Sequence, residues 1–221
     1  LLGTVVTAII QSSSATTVMV VGFVNAGLMN LRQAAGVIMG ANIGTTMTAQ
    51  IIAFNATQLA LPAVAIGFLL TLITKSKRVH YIGQSFVGFG LLFLGMSIMS
   101  SSMKPLAEMQ WFVNLTATLS KNRILGILTG AVMTGLIQSS SATIGILQSL
   151  AREGVISLHF ALPVLFGDNI GTTVTALLSS LGASLAAKRA ALIHLIFNVL
   201  GTIIFILILP VVVPVVQSIG G

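Results

Sequence analysis

The chain has 221 residues, 56% of them hydrophobic and 6% charged, with a formal net charge of +7 and a mean hydropathy of +1.09. A soluble domain carries about 25% charge, so a water-facing surface of this size cannot be assembled. The ten cations sit in short loops between apolar runs, where they set membrane topology rather than bind nucleic acid. Cysteine is absent, which excludes disulfides, thiolate metal sites and cysteine nucleophiles.

Lipid is the remaining solvent, and a helix needs about 20 apolar residues to cross it. Charge-free runs fill 1–31, 33–74, 79–103, 124–151 and 190–221, and 154–187 is interrupted only by Asp168. The chain therefore reads as an all-α integral membrane protein. No cleavable signal peptide is legible at the opening apolar run.

In chain order, the first run, 1–29, is broken in its middle by Gln11-Ser12-Ser13-Ser14. That predicts half-helices near 3–10 and 15–27 joined as a re-entrant hairpin, with the polar residues at its tip. Irregular backbone at membrane depth needs protein or a watery cavity around it. The next run is too long for one span, and Asn55 and Pro62 punctuate it into spans 33–54 and 58–74. Inside the first lies Asn42-Ile43-Gly44-Thr45-Thr46, which predicts a local unwinding and hence a broken transmembrane helix.

Lys75, Lys77 and Arg78 form a basic loop before a span at 80–102, in which Gly88, Gly90 and Gly95 read as packing positions. Residues 104–122 are the most polar and predict an interfacial helix. Its apolar stripe would be Leu106, Met109, Val113 and Leu119 beside Trp111. A second hairpin follows at 124–151, a second broken span at 155–180, and a last span at 190–212. Gln84, His194 and Asn198 read as helix–helix contacts, and His80 and His159 as interfacial.

The chain repeats itself. Gln11–Thr16 returns letter for letter as Gln138–Thr143, 127 residues later, and Asn42–Thr46 returns in register as Asn169–Thr173. Residues 3–49 and 130–176 match at 22 of 47 positions without a gap. The repeats are expected at 1–79 and 80–221. Leu1 aligns with Leu128, so the first repeat is expected to be truncated at its start. If the hairpins do not cross, three spans separate them, which predicts an inverted duplication of the kind found in secondary transporters. Six loop cations against four favour the face carrying Arg32, Lys75 and Lys188 as cytoplasmic.

A helix N-terminus carries about half a positive charge and four unpaired N–H donors. Two such tips, each with four small polar side chains, form an anion site that needs no Arg or Lys. The Asn and Thr oxygens of the second motif are hard donors, and unwound carbonyls beside them are expected to coordinate sodium. Asp168 replaces Ala41 and is the one acid inside an expected span. A carboxylate there marks a functional site, as a cation ligand or proton carrier. No catalytic triad, metal-ligand spacing or nucleotide loop can be assembled, so an enzyme is not expected.

At Gln11–Thr16 with Gly40–Thr46, and Gln138–Thr143 with Gly167–Thr173, the chain resembles the type II sodium–phosphate cotransporter family in its bacterial branch. The resemblance implies sodium-coupled movement of inorganic phosphate in the cell (inner or plasma) membrane, multi-pass, without an organic cofactor. It implies phosphate bound by Gln11, Ser12, Ser13, Ser14, Gln138, Ser139, Ser140 and Ser141. Beside them would stand Asn42, Thr45, Thr46, Asp168, Asn169, Thr172 and Thr173, with Thr16, Asn42, Thr143, Asp168 and Asn169 as sodium ligands. Partners are phosphate, sodium and the lipid bilayer, with a homo-oligomer left open. Two alternatives stand beside this: a carrier of another small anion such as a dicarboxylate or sulfate, and a phosphate-sensing membrane subunit.

Overall fold

The computed structural model describes residues 1–54 and 56–220, with the side chains at 107, 120 and 220 left aside. The break expected at Asn55 lies outside the described residues. Among these residues the chain forms ten α-helices and no strand. The first hairpin is α1 (Leu2–Ile10) and α2 (Ser13–Asn25), followed by α3 (Leu31–Ala53) and α4 (Thr57–Ile73). Helices α5 (Lys77–Glu108) and α6 (Gln110–Lys121) lead to the second hairpin, α7 (Arg123–Ile137) and α8 (Ser140–Arg152). Helices α9 (Leu158–Ser179) and α10 (Leu185–Gly220) complete the chain.

Three stretches are long and apolar enough to cross a bilayer: Lys77–Leu106, Leu158–Ser179 and Leu185–Ile219. Helices α3 and α4 meet that standard only together, as a pair bent by 98°. The helices stand within two residues of the expected 33–54 and 58–74, but neither is by itself long and apolar enough to count as a span. The polar face of α3 lowers its hydropathy, and α4 has only 17 residues, reaching about 25 Å at 1.5 Å per residue. The three-span count behind the inversion argument therefore does not stand on length and composition alone.

The duplication is visible in geometry. Asn30 caps α3 through a reciprocal pair of bonds with Gln33, and Ser157 caps α9 at the matching position. Gly27 and Gly154, at the turns before them, share φ of +72° and +69°, a left-handed conformation that glycine adopts without steric cost. Helix α1 lies against α3 as α7 lies against α9. A Cβ on Gly3 would collide with the Val37 carbonyl, and one on Gly130 with the Val164 carbonyl. Small residues let membrane helices approach this closely, and dispersion then holds them.

Each hairpin also grips the other repeat. Helix α2 packs on α9 and α8 on α3. Asn25 Oδ1 accepts from the Ser184 backbone N–H at 2.8 Å. At the matching place Arg152 Nη2 donates to the Ile52 and Ala53 carbonyls at 2.8 and 3.1 Å. The largest apolar cluster joins Val20, Val21 and Val24 of α2 to Ile38, Ala176 and Ala190, so the core is shared between repeats.

The interfacial segment needs two corrections. Helix α5 runs on through Lys104 and Pro105 to Glu108. On α6 the inward positions are Phe112, Thr116 and Leu119, at helical spacing, while Met109, Val113 and Trp111 are exposed. Leu106 packs inward as expected, against the Leu147 and Phe160 cluster. Of the three α5 glycines expected to pack, Gly90 meets the Ala60 carbonyl of α4, whereas Gly88 and Gly95 face open space.

Candidate functional site

Both Gln-Ser-Ser-Ser motifs fold the same way. Gln11 ends α1 at φ 60°, ψ 26°, and Gln138 ends α7 at φ 57°, ψ 25°. They are the only non-glycine residues with positive φ among those described, a conformation that costs about 1–2 kcal/mol for an L-residue. The next residue is extended and caps the following helix. Ser12 Oγ accepts from the Ala15 N–H at 3.1 Å, and Ser139 Oγ from the Ala142 N–H at 3.2 Å. The hydroxyls and backbone N–H groups of Ser13, Ser14, Ser140 and Ser141 have no protein partner among the described residues. Each tip therefore offers four donors at a helix start, the arrangement that favours an oxyanion.

A buried hydroxyl pair closes each hairpin. Thr7 Oγ1 donates to Thr16 Oγ1 at 2.9 Å, and Thr16 donates onward to the Ser12 carbonyl at 3.0 Å. These threonines stand nine residues apart, so the contact requires the chain to reverse. Thr134 and Thr143 repeat it at 2.9 Å. Here Thr134 also donates to Asp168 Oδ1 at 2.6 Å, and a hydroxyl has one proton to give. Thr143 must then donate to Thr134, and its distance to the Ser139 carbonyl lengthens to 3.4 Å. The carboxylate, 1% exposed, thus reverses the direction of the hydroxyl chain relative to the first repeat.

The Asn-Ile-Gly-Thr-Thr motifs do not unwind. Both lie in continuous helix, so the expected broken spans and freed carbonyls are corrected. Gly44 and Gly171 are there for contact instead: a Cβ at Gly44 would stand 2.6 Å from the Thr7 Cβ, and one at Gly171 2.5 Å from the Ala131 carbonyl oxygen. The threonine hydroxyls turn back into their own helices. Thr45 donates to the Ala41 carbonyl and Thr172 to the Asp168 carbonyl, while Thr46 and Thr173 donate to those of Ile43 and Ile170.

Asn42 and Asn169, from different repeats, line one cavity of about 420 Å³ with Thr46, Asn198 and Thr202. The serines of the tips do not line it. Asn42 Nδ2 donates to Asn198 Oδ1 at 2.7 Å, and Asn198 donates to the His194 carbonyl at 2.9 Å. Asn198 thereby makes the helix–helix contact expected of it, between α10 and α3, and its partner is the motif residue Asn42. His194 is fully buried, with neither ring nitrogen partnered.

One pair breaks the symmetry. Thr48 Oγ1 donates to Gln11 Oε1 at 2.7 Å. Among the described residues the matching Thr175 hydroxyl is buried without a partner, although Gln138 and Gln11 are both exposed. The same residues therefore tie the glutamine to its neighbouring helix at the first tip alone.

Long apolar helices and an internal duplication that ends in paired donor-rich tips are the features of a helical membrane protein. The sequence model of the Na+/Pi-cotransporter family matches residues 1–101 and again 94–211. The chain belongs to that family. It is 36% identical over 180 residues to the uncharacterized protein YqeW of Bacillus subtilis, covering 81% of this chain and 58% of that protein. It is 32% identical over 175 residues to YjbB of Escherichia coli, whose name proposes inorganic phosphate export, covering 79% and 32%. The human sodium-dependent phosphate transport protein 2B is 39% identical over 111 residues, covering 46% and 16%. The chain thus spans about three-fifths of the first of these relatives and a third of the second. No solved structure matches the chain.

Proposed function

We propose that this chain forms the transport core of a sodium-coupled carrier of inorganic phosphate, working by alternating access in the cell membrane. The observation that carries the reading is the twofold construction of the tip. Each has a strained left-handed glutamine, a serine cap, and two hydroxyls with two N–H groups left open. A tetrahedral oxyanion matches two such donor sets better than one. The relatives named for sodium-dependent phosphate transport support the choice of solute.

In this reading the hairpins are re-entrant and the repeats inverted, so the tips approach from opposite faces and share one phosphate through Gln11–Ser14 and Gln138–Ser141. Among the described residues no cluster of three His, Cys, Asp or Glu forms. Sodium is then held by neutral oxygens near Thr16, Asn42, Thr143 and Asn169, with Asp168 the one charge. The asymmetry of Asp168 and Ala41 favours the second repeat for the cation that the carboxylate holds. Sodium binds first and offsets the charge of the incoming anion.

Phosphate uptake into vesicles reconstituted with the full-length protein, with and without a sodium gradient, tests this. A sodium gradient should drive accumulation, and sulfate or dicarboxylates in excess should not compete. Flux indifferent to sodium would overturn the coupling, and competition by those anions would overturn the solute.

A further inference from the structure

Away from the tips, a cavity of about 600 Å³ lies between the C-terminal half of α5, the start of α4 and the end of α8. Its size falls within the usual range for small-ligand sites, roughly 300–1,000 Å³. Four polar residues of α5 line it at helical spacing: Ser97, Ser100, Ser101 and Lys104. Such a polar stripe on a membrane-spanning helix faces protein or water, not lipid. Opposite stand Arg152 and Glu153 of α8. Lys104 Nζ lies 3.5 Å from Glu153 Oε2, which leaves the Arg152 charge in excess.

Two observations connect the cavity to the second tip. The buried Met96 lines it, and a Cβ placed on Gly145 of α8 would touch the Met96 sulfur at 3.6 Å. Gly145 is four residues from Ser141, about 6 Å along the helix. Ser149, one turn beyond Gly145 and on the face that carries Arg152 and Glu153, is fully buried with its hydroxyl unpartnered. A buried hydroxyl without a partner is a costly feature, and it stands on the line from the cavity to the tip.

We propose that this cavity is an access vestibule that binds a phosphate-class oxyanion before it reaches the Ser140 tip, with Arg152 and Lys104 attracting the anion and Met96 closing the inner end. The inference rests on the transport reading for its destination, but its binding chemistry is separate. With two cations against one carboxylate the cleft carries a net positive charge, and such a field raises the local concentration of anions. The Glu153 carboxylate holds Lys104 and is displaced from it when the anion arrives. Free phosphate and a phospholipid headgroup share this oxyanion chemistry.

The absence of cysteine from this chain permits a direct test. In the full-length protein, with any cysteine elsewhere replaced, Ser97→Cys and Ser100→Cys are made singly. Each is reacted with water-soluble thiosulfonates, one anionic and one cationic, in vesicles of neutral lipid. The anionic reagent should react about tenfold faster, Lys104→Gln should remove most of that preference, and millimolar inorganic phosphate should slow labelling. Cysteines that react only with a lipid-soluble maleimide, or equally with both charged reagents, would overturn the proposal. Slowing by anionic lipid but not by inorganic phosphate would assign the cavity to a headgroup and overturn the vestibule role. In transport, Lys104→Gln should raise the KM for phosphate severalfold with kcat unchanged. If no phosphate flux occurs but labelling behaves as expected, the transport reading fails and the anion site stands.

Discussion

At the scale of single residues, the differences between the two repeats are more informative than their identities. Thr134 is the one hydrogen-bond partner of the buried Asp168 carboxylate among the described residues, whereas Ala41 at the matching position offers its counterpart Thr7 no carboxylate. Thr134→Val should therefore lower stability by about 1–3 kcal/mol, the cost of orphaning a buried polar group, and Thr7→Val by clearly less. Thermal unfolding of both purified variants in detergent measures this, and equal losses would mean that the carboxylate does not depend on the threonine. A second comparison has opposite signs. Thr48→Val breaks the bond to Gln11 and should cost about 1 kcal/mol, while Thr175→Val removes a hydroxyl that has no partner and should be neutral or stabilising. None of this asymmetry beyond the Asp168 substitution was legible in the sequence, because Gln138 and Thr175 are the same letters as Gln11 and Thr48. Hydrogen-bond pairing depends on where the helices sit, and letters alone do not carry that.

Among the elements, the hairpins were the most legible feature. A serine run inside an apolar segment supplies both a helix stop and a helix cap, so the half-helices fell within a residue or two of 3–10 and 15–27. The broken spans were the least legible. Glycine beside Asn and Thr can mark unwinding or close packing with equal sequence cost, and here packing won because Thr7 and Thr134 occupy the space a Cβ would need. The stripe on α6 was misread by one face, since Phe112 and not Val113 is in phase with Leu119. Close packing has a measurable consequence. Gly130→Ala would drive a Cβ into the Val164 carbonyl and should destabilise by about 1–3 kcal/mol. Gly88→Ala meets nothing within 4 Å and should stabilise α5 by roughly 0.5–1 kcal/mol. A thermal shift of the same sign for both would show that α7 and α9 do not approach as described.

On the scale of the whole molecule, the proposed inverted arrangement is open to labelling. Cysteines placed at Leu28 and Ala151, beside the turns that end the two hairpins, should react with an impermeant thiol reagent from opposite sides of sealed vesicles. Reaction from one side would make the repeats parallel. The grip of each hairpin on the other repeat also bears on how the protein is made. Asn25 waits for the backbone of Ser184, 159 residues further on. At roughly 5–20 residues per second of synthesis, the first hairpin spends about 8–30 s in the bilayer without the partner that holds its end. Through that interval its exposed serine tip needs shelter from the insertion machinery or from water. A ribosome that pauses before α9, or a chain severed in the 110s, would leave that hairpin unclasped and open to membrane proteases.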